Sequence, residues 1–143
     1  MALLNYTTQI ETSKTIAEIQ ECLVAHGAKA VLSEFDDNGY ITALSFKIRL
    51  DGQDVGFRLP SDWRPVLKIL ERSKKVPRRL VTQEQALRVA WRIIKVWVEA
   101  QMAIVEMNMV KTEQVFLPYA ITKNGDSFYE QVVKNRLLLG DGN

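Results

Sequence analysis

A chain of 143 residues, 47% hydrophobic and 25% charged, has room for one domain, and 19 basic against 17 acidic residues leave it at +2. Its single cysteine, Cys22, excludes an internal disulfide. Its single histidine, His26, excludes the usual His- and Cys-rich metal sites and leaves a Ser-His-Asp triad only His26 itself. No apolar run reaches the roughly 18 residues of a membrane span, and Met1-Ala2-Leu3-Leu4-Asn5-Tyr6 lacks a basic n-region, so a soluble, cytoplasmic protein is expected.

Leu3 to Ile10 alternates, with Leu4, Tyr6, Thr8 and Ile10 on one side, and predicts a short first strand. A helix follows, opened by Thr12 or by a capping box of Thr15 and Glu18. Ile16, Ile19 and Leu23 share its inner face, and Gly27 stands at its C-terminal end. Three strands come next. Residues 30–35 form one, residues 40–50 alternate through Leu44, Phe46 and Ile48, and Val55, Phe57 and Leu59 are the inward positions of the last. Asn38-Gly39 and Asp51-Gly52 supply the turns, and Pro60 stops the third strand.

Ser61 is placed to cap a helix to about Ser73, with Trp63, Val66, Leu67 and Leu70 inward. Pro77 keeps helix out of the connection Lys74 to Arg79. Thr82 and Gln85 suit a capping box for the longest element, residues 83–109. A polar stripe of Arg88, Arg92, Lys95, Glu99 and Glu106 runs along it, and nearly all else on it is apolar. Such a helix is buried over most of its circumference, in its own fold or against a second copy, so a homodimer is expected. Val115 to Tyr119 is an apolar patch broken by Pro118. Ser127 and Glu130 open a last helix through Val132, Val133 and Leu137, ended by Gly140. The fold class is therefore α+β. Residues 1–60 make a β-α-β-β-β unit with an antiparallel sheet, and residues 61–143 a helical half packed on it as one cooperative domain.

Cys22 and His26 share a helical face, but a metal needs three or four ligands and no further His or Cys exists. Asp36 and Asp37 lie in one hairpin turn and Asp51 and Asp54 beside the next. Consecutive turns of a meander stand at opposite ends of the shared strand, about 30 Å apart, so the four do not converge. No glycine-rich phosphate loop occurs. Tyr40, Phe46 and Phe57 read as core. So do Trp63, Trp91 and Trp97, although Trp91 and Trp97 fall on different sides of the long helix and an exposed one would suit stacking on a base or filling a partner's pocket. Neither a cofactor nor a metal is expected.

The charge is unevenly spread. Between Ser61 and Lys95 stand ten of the nineteen basic residues against Asp62, Glu71 and Glu84, a local charge of +7 that leaves −5 for the remainder. Arg64, Lys68, Arg72 and Lys75 follow helical spacing. Lys74, Arg78 and Arg79 continue into the connection, and Arg88, Arg92 and Lys95 make a second stripe. Two basic stripes joined by a basic loop can track a phosphate backbone.

Gln85-Ala86-Leu87-Arg88-Val89-Ala90-Trp91-Arg92, continued by Val96-Trp97-Val98-Glu99-Ala100-Gln101, resembles a family of small phage and mobile-element proteins of undetermined function. So do Val115-Phe116-Leu117-Pro118-Tyr119 and Phe57-Arg58-Leu59-Pro60. The resemblance implies a setting in DNA metabolism or host defence and carries no catalytic residues. The expected function is non-enzymatic binding of DNA or RNA, with Arg64, Lys68, Arg72, Lys74, Lys75, Arg78, Arg79, Arg88 and Arg92 on phosphates. The alternative is a module that inhibits a host protein through Val115–Tyr119 with Trp97.

Overall fold

In the computed structural model, which describes residues 3–135, the expected first strand is absent. Tyr6 N–H donates to the Leu3 carbonyl (3.2 Å) and Thr8 N–H to the Asn5 carbonyl (3.0 Å), so the chain turns where a strand would run straight. Asn5 sits at φ 62°, a left-handed conformation that asparagine tolerates better than most residues. Leu4, one of the four alternating positions, is exposed, while Tyr6 packs into a helical core. The β-α-β-β-β layout is thereby corrected: helix α1 (Thr12–Ala25) precedes strands β1 (Ala28–Phe35), β2 (Ile41–Leu50) and β3 (Gln53–Arg58).

The strands pair antiparallel in the order β1-β2-β3, as the meander pattern requires. Asp51 (φ 49°) and Gly52 (φ 83°) form the two-residue link between Leu50 and Gln53, a turn whose left-handed residues match the twist of the strands. The earlier turn is tied by Asp36, whose Oδ1 accepts from Asn38 N–H (2.9 Å) and Tyr40 N–H (3.0 Å). The remaining helices are α2 (Trp63–Arg72), α3 (Gln83–Glu106), α4 (Thr112–Phe116) and α5 (Phe128–Asn135). None of the described helices is long and apolar enough to cross a membrane.

The chain divides after Leu23, Pro60 and Met102 into two compact units, each of which draws on both sides of Pro60. The first unit contains α2 and most of α1 and α3. Leu70, Val76 and Ala86 are buried at its centre, with Tyr6, Trp63, Val66, Leu67, Leu80 and Val81 packed around them. Thr15, Ile19 and Leu23 of α1 and Trp91, Val98 and Met102 of α3 are buried as well. Asp62, not Ser61, caps α2: it is extended and its carboxylate accepts Arg64 N–H at 3.1 Å.

The second unit contains the sheet. Phe46 stacks on Phe57 with ring centroids 5.2 Å apart, and Phe116 meets Phe46 edge-on at 5.5 Å. Phe116 comes from α4, a five-residue helix that the sequence pattern did not announce, so the 115–119 patch is in part core. Ile121 N–H donates to the Gly56 carbonyl at 2.8 Å and lines the outer edge of β3. Ser127 and Glu130 form the expected capping box before α5, each side chain accepting from the other's backbone N–H. Leu137 and Gly140 lie outside the described residues. Helix α3 ends at Glu106, three residues short of Met109, because Asn108 turns left-handed (φ 60°) and leaves Met107 and Met109 exposed.

Candidate nucleic-acid interface

All ten basic residues between Ser61 and Lys95 fall in the first unit, but in two different electrostatic situations. Arg64, Lys68 and Arg72 lie four apart on α2, on the face opposite Trp63, Val66, Leu67 and Leu70. Lys74 and Lys75 follow in the turn after α2, and Arg78 and Arg79 in the single 3-10 turn Arg78–Leu80. Leu70 and Val76 anchor this stretch in one core cluster, which leaves the cations between and beside them outward. All seven are exposed.

Arg64 is the one that is held: Nε and Nη2 donate to the two Asp62 oxygens at 2.9 and 3.1 Å. That hydrogen bonding lowers the Asp62 carboxyl and raises the Arg64 guanidinium from their ordinary values. Among the described residues no carboxylate stands within ion-pair distance of Lys68, Arg72, Lys74, Lys75, Arg78 or Arg79. Lys68 acts on Asp62 only through space.

The second stripe is different. Arg92 Nη1 donates to Glu18 Oε2 (3.1 Å) and to the buried Thr15 hydroxyl (3.3 Å), and Lys95 reaches the same Glu18 oxygen at 3.3 Å and Glu99 at 2.8 Å. The side chains of Arg92 and Lys95 are only 16% and 13% exposed. Burial pushes the Glu18 carboxyl upward, but the hydrogen bonds from Lys95 and Arg92 outweigh it and hold the group below the ordinary carboxylate value. Lys95 is raised, chiefly by its hydrogen bond to Glu99. Arg92 and Lys95 therefore join α3 to α1. Their acidic partners, apart from Glu99, come from the N-terminal helix. The spacing carried a signal: Glu11 and Glu18 are seven apart, as are Arg88 and Lys95.

Arg88 stands between these two groups. Its Nη1 donates to Gln85 Oε1 (3.3 Å), and its Nη2 contacts the exposed Glu11 at only 3.4 Å. Gln85 does not complete a capping box with Thr82, although its N–H donates to the Thr82 hydroxyl (3.0 Å). Its carboxamide, 2% exposed, instead donates to the carbonyls of Tyr6 and Thr8, both at 3.0 Å. Thr7, Thr8, Glu11, Arg79, Gln85 and Arg88 line a cleft of about 460 Å³ in this unit.

The other candidates stay apart. Among the described residues no three His, Cys, Asp or Glu side chains gather to hold a metal. His26 Nε2 is hydrogen-bonded to Glu106. Asp54 pairs with Arg49 at 3.2 Å. Trp91 is wholly buried and Trp97 half-buried, so neither tryptophan on α3 stands open as a stacking platform. The chain matches no protein-family model, no curated protein and no solved structure.

Proposed function

We propose that the protein binds nucleic acid without catalysing a reaction on it, using the outer face of α2 and the connection that follows. The observation that carries this reading is the run of six exposed cations from Lys68 to Arg79, with no carboxylate on them among the described residues and only Glu71 interrupting them in sequence. Uncompensated surface charge of one sign costs stability through self-repulsion and is useful to a polyanion. Arg92 leaves the expected contact set because its charge is spent on Glu18 of α1. The proposed setting is the DNA metabolism of a phage or mobile element, resting on the likeness of the α3 sequence described above.

A random-sequence duplex and a random single strand, each fluorescently labelled, test the reading by anisotropy between 50 and 200 mM salt. If the six cations each neutralise a phosphate, affinity for the duplex falls about a thousandfold over that range, with a slope near −5 in log–log form. Replacing Lys74 and Lys75 by alanine reduces the slope by about two. No detectable binding of either strand form at the lower salt overturns the reading.

A further inference from the structure

The cleft beside Arg79 and Arg88 is built unlike the rest of the basic surface. Arg79 is exposed and belongs to the open run of cations. Arg88 is half-buried, and the buried Gln85 carboxamide holds its guanidinium by Oε1 at 3.3 Å. The same carboxamide fixes the opposite wall, donating at 3.0 Å to the carbonyls of Tyr6 and Thr8. Thr7 and Thr8 lie on that wall. Thr8 Oγ1 accepts Ile10 N–H at 3.2 Å, an arrangement that leaves its own hydrogen for another acceptor. Two arginines and two threonines thus line one cleft of about 460 Å³, with Arg88 held in place by Gln85.

Among the described residues that line this cleft, Glu11 is the only one with a carboxylate. Its contact with Arg88 is long, 3.4 Å, and its side chain is 69% exposed. An exposed ion pair of that geometry is weak, and a stronger acceptor displaces it. A phosphodiester brings one charge and two free oxygens. A phosphate monoester brings nearly two charges and three free oxygens, which matches two guanidinium groups and the hydroxyls beside them. Arg79 makes this cleft continuous with the run of cations from Lys68.

We infer that the cleft between Thr7 and Arg88 receives the terminal phosphate of a nucleic-acid strand whose backbone lies along the Lys68–Arg78 surface. This rests on the nucleic-acid reading above. Arg79 and Arg88 hold the phosphate oxygens, Thr7 and Thr8 donate to them, and Glu11 swings out to solvent. No bond is made or broken.

The experiment compares one single-stranded oligonucleotide sequence with a hydroxyl at both ends, with a 5′-phosphate and with a 3′-phosphate, at fixed salt. One of the phosphorylated forms is expected to bind about tenfold more tightly than the hydroxyl form. Arg79→Ala and Arg88→Gln each remove that preference, whereas Lys74→Ala weakens all three forms equally. Thermal melting of each variant keeps a loss of fold separate from a loss of recognition. Equal affinity for the three forms overturns the inference while leaving the nucleic-acid reading intact, and so does a preference that survives Arg79→Ala. Failure of every form to bind overturns both.

Discussion

Gln85 shows how much one side chain can decide. Its carboxamide spends both donor hydrogens on backbone carbonyls of the N-terminal segment and its oxygen on Arg88. Gln85→Ala leaves two inward carbonyls without their donor, which costs about 1–3 kcal/mol. The expected outcome is a lower melting temperature together with faster amide exchange confined first to residues 5–10, measured by hydrogen–deuterium exchange. Uniform loss of protection across α3 would contradict this assignment. In the sequence Gln85 looked like half of a capping box, because Thr82 stands three residues before it. The other half of its role was invisible, since its partners are main-chain atoms nearly eighty residues away.

At the scale of elements, the local rules served the sheet well and the N-terminus poorly. The meander was legible because long alternating runs, Asn38-Gly39 and Asp51-Gly52 all point the same way. Leu3–Ile10 offered only four alternating positions, too few to separate a strand from a series of turns. The polar stripe of α3 is legible, and the seven-residue spacing that Glu11–Glu18 shares with Arg88–Lys95 hints at its acidic partners, but nothing local says that α1 is the helix that meets α3. Their pairing has a pH signature. The Glu18 carboxyl titrates below its ordinary value in the folded chain, so it stabilises the fold above that value, and the gain disappears as acid protonates it. Glu18→Gln is therefore expected to lower the melting temperature at pH 7 and to have a shrinking effect as the pH falls below the ordinary carboxylate value. A difference that persists undiminished in acid would show that the stabilisation does not come from the charge.

For the molecule as a whole, charge separates into cations that build the fold and cations that do not. This division was only half legible: the clustering is plain in the sequence, yet Arg92 and Lys68 look alike there. Only burial tells them apart. Arg92→Gln removes a partner from a largely buried pair and is expected to lower the melting temperature. Lys74→Ala with Lys75→Ala touches neither a core residue nor an ion pair and leaves the melting temperature within about two degrees, any shift being upward, its stability change staying under about 0.5 kcal/mol. Circular-dichroism melts of the two variants side by side check the contrast. If both melt early, the open cations have a structural role after all.

The crowding of Lys68, Arg72, Lys74, Lys75, Arg78 and Arg79 within twelve residues has a consequence for the free protein. Like charges so close together strain the native state, and dissolved ions shield them from one another within about 10 Å at 0.1 M. Added electrolyte should then make the unliganded fold more heat-resistant while it loosens any grip on a polyanion. The ionic strength at which the fold is most robust and the one that would favour the proposed nucleic acid lie at opposite ends of the scale.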